Sequence, residues 1–136
     1  MTQAVPALGE APFPPAERTA VLLVDDEPAL LDAMRQGLGE DFELATAASA
    51  ATAERLLAAR PFAVVVCDHV MPGEAGLSFL VRMRENHPAT RRILLTGYMN
   101  PELLSRSTAV AGLSACLLKP LNMAELSRAV RTALIS

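Results

Sequence analysis

Tryptophan is absent from the 136 residues, tyrosine occurs once and cysteine only twice. Cys67 and Cys116 sit inside the apolar runs "VVVCD" and "SACLLK", without the close spacing of a metal site or redox pair. Both therefore read as buried free thiols. Positive charge is also scarce: the net charge of -3 excludes the basic face that a general nucleic-acid binder needs. No apolar stretch approaches the roughly 20 residues of a membrane helix. A secretory signal is excluded too, because the first basic residue is Arg18 and no sustained apolar segment accompanies it. No internal repeat is visible. These absences leave a cytoplasmic, soluble chain as the expectation, and 51% apolar content at this length suits one domain with a real core.

What is present is alternation. Residues 1–19 hold four of the ten prolines and no periodic pattern, which predicts a disordered leader before a domain at 20–136. From residue 20 onward, short β-type runs at 20–24, 42–46, 63–67, 92–95 and 115–118 alternate with segments of helical spacing. The helical faces are Leu30/Leu31/Met34/Leu38, Ala53/Leu56/Leu57, Leu77/Leu80/Val81, Leu103/Leu104 to Val110, and Leu126/Ala129/Val130/Ala133/Leu134. Ser49, Asn100 and Asn122 suit helix N-caps, with Glu125 three residues after Asn122 as in a capping box. Pro101 suits a first helical position; Gly37 and Gly39 punctuate the first helix end, Pro61 and Pro88 the next two. Met71 and Met99 read as loop packing, and His87 as a helix-end residue facing water.

Five strands alternating with five helices imply an α/β fold, a parallel sheet covered on both faces by right-handed crossovers. In the flavodoxin-like (βα)5 doubly wound order 2-1-3-4-5, the first and third strands are neighbours and the chain reverses direction between them. Ligands bind at such a switch point, outside the carboxyl ends of the strands. Strand 1 ends in Asp25 and Asp26, strand 3 in Asp68, strand 4 in Thr96 and strand 5 in Lys119. Two carboxylates ~4 Å apart repel by about 4 kcal/mol at a surface-like dielectric. Protonation, a cation or both must offset that repulsion, and an all-oxygen cluster with room for water suits Mg²⁺ or Mn²⁺.

With these pieces in order, "VLLVDDEP", "VVVCDHVMPGEAG", "ILLTGY" and "CLLKP", the sequence resembles the receiver domain of bacterial two-component response regulators over residues 20–135. The resemblance implies a phosphorylation-dependent signalling module of a phosphorelay, catalysing only its own phosphoryl transfer and dephosphorylation. Asp68 would accept a phosphoryl group from a histidine kinase. Asp26 and Asp68 would hold the metal through their carboxylates, the backbone carbonyl of Val70 would help, and Asp25 would act through a bound water. Thr96 and Lys119 would each contact a phosphoryl oxygen, and the Lys119–Pro120 peptide would be cis. Implied partners are a sensor histidine kinase or phosphotransfer protein, an output domain or protein on the fourth helix, fifth strand and fifth helix, and a second copy of the chain. Neither nucleic acid nor membrane is an expected partner of this domain.

Two positions depart from the family pattern. Many receivers carry Tyr or Phe three residues before the lysine, where this chain has Cys116, so Tyr98 becomes the candidate moving aromatic beside Thr96. Val70 stands where fast-hydrolysing receivers carry a polar side chain, which favours a long-lived phosphoryl group. Gly97 leaves the site open. His69 reads as a rim residue. An aspartate-nucleophile phosphatase of the haloacid dehalogenase type would want a second acid at position 70. A nucleotide or flavin binder would want a Gly-rich loop after strand 1. A phosphorylation-independent interaction module would not need the full acidic set.

Overall fold

Period-two alternation divides each central strand between two cores. Val21 and Leu23 pack with one cluster, Leu22 and Val24 with the other; Val64 and Val66 oppose Val65 and Cys67 in the same way. The computed structural model describes residues 18–135 apart from Met99. Residues 1–17 of the expected leader, Met99 with its expected loop packing, and Ser136 lie outside the described residues. The elements are β1 (Ala20–Val24), α1 (Pro28–Leu38), β2 (Glu43–Ala47), α2 (Ala50–Ala59), β3 (Val64–Asp68), α3 (Gly76–Asn86), β4 (Arg91–Thr96), α4 (Pro101–Ala111), β5 (Ala115–Leu118) and α5 (Met123–Ile135).

All neighbouring strands are parallel, and the sheet order is β2-β1-β3-β4-β5, as the alternation implied. Met34 and Leu38 of α1 and Leu126, Val130 and Ala133 of α5 cover one face. Ala53 and Leu57 of α2, Phe79, Leu80 and Met83 of α3 and Ala111 of α4 cover the other. Each buried Leu, Met, Val or Phe among these contributes about 1.5–3 kcal/mol by leaving water, the alanines less. The expected α3 face holds at Leu80, which is fully buried, but Leu77 and Val81 only flank it, and Phe79 and Met83 complete the buried stripe.

Caps set the helix entries. Ser49 Oγ accepts the Thr52 N–H at 3.2 Å, Asn100 Oδ1 the Glu102 N–H at 3.0 Å, and Asn122 Oδ1 the Glu125 N–H at 3.0 Å. Arg60, before Pro61, is extended and ends α2, as the clash between a proline ring and a helical predecessor requires. Gly37 lies inside α1 rather than at its end. An added Cβ there would meet Met123 at 3.2 Å, so its missing side chain admits α5.

Strand register decides what shares the carboxyl edge. Val24 pairs with Cys67, Asp68 with Leu95, and Thr96 with Leu118. The residues that end or follow β1, β3, β4 and β5 therefore stand side by side.

Candidate functional site

Asp25 is completely buried and Asp68 is 5% exposed, whereas Asp26 is exposed. Each offers a carboxylate oxygen within 4.8 Å of the others'. The compensating charge comes from β5: Lys119 Nζ lies 3.1 Å from Asp25 Oδ2 and 3.1 Å from Asp68 Oδ1. The Lys119 N–H donates to the Thr96 carbonyl at 2.8 Å, and the Lys119–Pro120 peptide is cis, as expected. Asp25 Oδ1 also accepts the Glu27 N–H at 2.8 Å, so this acid shapes the turn into α1 as well.

The electrostatics follow from that geometry. Burial pushes the Asp68 carboxyl above its ordinary value; the hydrogen bond from Lys119 pulls it back, and the charges of Asp25 and Asp26 push it up again. Burial alone would lower Lys119, but its hydrogen bonds to Asp68 and Asp25 hold the ammonium above its usual value. Burial drives the Cys67 thiol far up, with the charges of Asp68, Asp25 and Glu74 adding to it, so this cysteine is an inert neighbour.

A carboxyl whose folded-state pKa is raised holds its proton more tightly when folded, so stability falls as pH rises above the unfolded value of 3.8. Asp68→Asn keeps the shape and removes that charge. Without divalent metal the variant should be more stable than the parent by about 1 kcal/mol at pH 7, a difference that vanishes near pH 4. Urea unfolding in chelator at the two pH values checks this. A variant less stable at pH 7 would mean that the Lys119 pair outweighs the burial cost.

The remaining candidates occupy the edge around the acids. Thr96 is 8% exposed; its Oγ1 donates to the Tyr98 carbonyl at 3.0 Å and accepts the Tyr98 N–H at 3.3 Å. Tyr98 itself is 70% exposed. Val70, on the loop after β3, is also exposed. Half-buried Cys116, paired in register with Leu94, lines a cleft of about 290 Å³.

Three features carry little sequence signal. His69 is half-buried and lines the same cleft; its Nδ1 is buried and has no hydrogen-bond partner among the described residues. Gly76 starts α3 against the Asp68 backbone, where an added Cβ would lie 2.0 Å from the Asp68 carbonyl oxygen. Arg82 pairs with Glu54 and Glu74, and Glu74 also accepts from Ser78, which ties the β3–α3 loop to α2 and α3.

The donor set suits a small divalent cation: three clustered carboxylates are hard oxygen ligands of the type Mg²⁺ takes. Among the described residues, no helix is long and apolar enough to cross a membrane.

The response regulator receiver domain family matches residues 21–131. The hydrogenase transcriptional regulatory protein HoxA of Cupriavidus necator is 39% identical over 104 residues, 76% of this chain and 22% of HoxA. The response regulator protein PilR of Pseudomonas aeruginosa is 31% identical over 122 residues, 86% of this chain and 26% of PilR. The chain thus spans about a quarter of the length of these relatives. Among solved structures, the signal receiver domain of an HD domain-containing protein from Pseudomonas fluorescens Pf-5 superposes with a TM-score of 0.80 at 33% identity, covering 87% of this chain and 88% of that one.

Proposed function

We infer that the phosphorylation-dependent two-component signalling of this chain, which belongs to the response regulator receiver domain family, runs through an acyl phosphate on Asp68. The observation that carries this reading is the single ammonium of Lys119, 3.1 Å from both Asp25 and Asp68, at the carboxyl edge of the sheet. A carboxylate oxygen of Asp68 attacks the phosphorus of a phosphohistidine. The new P–O bond forms as the P–N bond breaks, and the histidine nitrogen keeps the electron pair. Positioning and charge neutralisation do most of the work in such a transfer.

In this reading Asp26 and Asp68 would supply carboxylate ligands for Mg²⁺, the backbone carbonyl of Val70 would help, and Asp25 would act through a bound water. The bound cation would neutralise charge on the transferred group. Lys119 shifts its hydrogen bonds from the carboxylates to a phosphoryl oxygen, and Thr96 donates to another. Tyr98 and Cys116 are the switch pair: the loop after β4 moves because position 116 carries no ring.

Receiver domains work with histidine kinases or phosphotransfer proteins and with output domains. Val110 on α4, Leu118 on β5 and Ile135 on α5 are exposed apolar residues, which supports that surface as the contact for an output partner or a second copy. Residues 20–136 form the receiver unit in this reading, with 1–19 a leader. Apolar Val70 favours a signalling module over a haloacid dehalogenase type phosphatase, which would want an acid there.

The test is intact-mass analysis after incubation with acetyl phosphate and Mg²⁺. The parent chain should gain one phosphoryl adduct that requires the metal, and Asp68→Asn should gain none. Equal labelling of the variant removes Asp68 as acceptor; no labelling of either leaves a phosphorylation-independent interaction module.

A further inference from the structure

Arg92 of β4 is 8% exposed, and its Nε and Nη1 donate to the Ala111 and Thr90 carbonyls at 2.8 Å each. Exposed Arg84, in the last turn of α3, reaches the same place; its Nη1 donates to the Ala109 carbonyl at 2.7 Å and the Val110 carbonyl at 3.0 Å. Two guanidiniums thus share the C-terminus of α4. Among the described residues the ion pairs take in Arg60, Arg82, Arg106, Arg131 and Lys119, but neither Arg84 nor Arg92. Burial pushes the Arg92 guanidinium below its usual value, and the charges of Arg84 and Arg91 push it the same way. A buried charge is costly unless an opposite charge meets it.

The end of α4 meets part of that need. A helix C-terminus carries about −0.5 of an elementary charge, so beside two guanidiniums about +1.5 is left over. The uncommitted donors converge as well. Bonds to the helix and strand carbonyls leave Arg84 Nε and Arg92 Nη2 without a hydrogen-bond partner among the described residues. These two nitrogens border one spot: a Cβ built on Gly112 would lie 3.2 Å from each. Gly112, with φ of 60°, is the left-handed residue just beyond α4, and its missing side chain leaves the spot free. A carboxylate would bring a single negative charge there. A phosphoryl group brings about −1.5 to −2 at neutral pH, which matches the excess, and its oxygens suit arginine forks.

We propose that Arg84 and Arg92, over Gly112, form a binding site for a phosphate dianion, either the free ion or the terminal phosphoryl group of a small molecule. The site stands apart from the acidic cluster. Arg92 is in register with Val65, three residues before Asp68 and roughly 10 Å back along the strand. It therefore needs neither Mg²⁺ nor the reading of Asp68 as phosphoryl acceptor. A bound dianion neutralises both guanidiniums and ties the end of α3 to the end of α4.

The test is a titration with inorganic phosphate in chelator, followed by nitrogen-15 NMR of the arginine Nε–H groups and the Gly112 N–H. Phosphate should shift the Arg84, Arg92 and Gly112 signals together and saturably. Sulfate, also a dianion, should act alike, and acetate should bind several-fold more weakly. Arg84→Met should weaken phosphate binding several-fold; Arg84→Lys, which keeps the charge but loses the fork, should weaken it less. Adenosine monophosphate separates the two sources. Affinity equal to that of phosphate assigns the free ion, and tighter binding assigns a phosphoryl group on a small molecule; both uphold the site. Absence of a saturable shift at these three signals overturns it, as does unchanged phosphate affinity in folded Arg84→Met. Acetate binding as tightly as phosphate overturns the dianion as ligand.

Discussion

Gly76→Ala will cost about 3 kcal/mol or more of folding stability, among the largest effects a single methyl group can have on this chain. The new Cβ would sit 2.0 Å from the carbonyl oxygen of Asp68, 2.8 Å from its carbonyl carbon and 2.9 Å from the Cα of His69. All three are backbone atoms, so no rotamer change relieves the clash. The Gly76 N–H donates to the His69 carbonyl at 2.8 Å, which holds the two segments at that separation. Either the start of α3 or the end of β3 must move, and the second alternative displaces Asp68 from Lys119. Gly97→Ala is the internal control, since its Cβ would meet nothing within 4 Å. Its stability should change by no more than about 0.5 kcal/mol. Urea unfolding of the two variants separates these outcomes; equal stabilities would mean that the α3 entry yields far more easily than its contacts indicate.

Local patterns in the sequence account for the strands and for which of them carry chemistry. β1 and β5 fall at the expected bounds because a polar residue ends each apolar run. β2 is displaced by one residue for a specific reason. Phe42 is buried, but its N–H donates to the Leu38 carbonyl at 3.1 Å, so it completes the exit from α1. At the other end the Asp25 N–H donates to the Ala47 carbonyl at 3.0 Å and carries the ladder one step further. The grouping of Asp25, Asp68, Thr96 and Lys119 at one edge follows from strand order alone. That Lys119 bridges two carboxylates depends on a pair 94 residues apart in sequence, and no local pattern records it.

The parts that were not legible arise from packing between distant elements. Phe79 and Met83, three and seven residues on from Gly76, complete the buried stripe of α3 with Leu80, and a face drawn through Leu77, Leu80 and Val81 shares only Leu80 with it. The orphaned Nδ1 of His69 becomes visible only when the cleft wall is assembled from four elements. Cys116 was legible as a missing ring, but the cavity that results also needs Leu77, Leu94 and Leu104 around it. Arg82 meeting both Glu54 and Glu74 is similarly a product of tertiary geometry.

Lys119→Met should affect both the chemistry and the fold, and pH separates its two causes. The substitution keeps most of the apolar stem and deletes the ammonium. Asp25, fully buried, and Asp68, nearly so, are left as neighbouring carboxyl groups without their shared cation. Breaking one side of a buried pair costs about 3–5 kcal/mol, so the metal-free variant should lose about 3 kcal/mol at pH 7. The hydrogen bond from Lys119 is the largest influence holding Asp68 down, and its removal raises that carboxyl further. A raised carboxyl binds its proton in the folded state, so the lost stability returns as pH falls toward the unfolded value of 3.8. The deficit should therefore shrink markedly between pH 7 and about pH 4.5. A deficit that is the same at both pH values would assign the loss to packing of the stem instead of to unpaired charge. Labelling by acetyl phosphate should slow by about two orders of magnitude, the usual scale for removing one preorganised charge from such a site. Added Mg²⁺ should recover stability in the variant, because another cation then stands among the same carboxylates, but not the labelling rate, because the phosphoryl oxygen that Lys119 would bind is left without its donor.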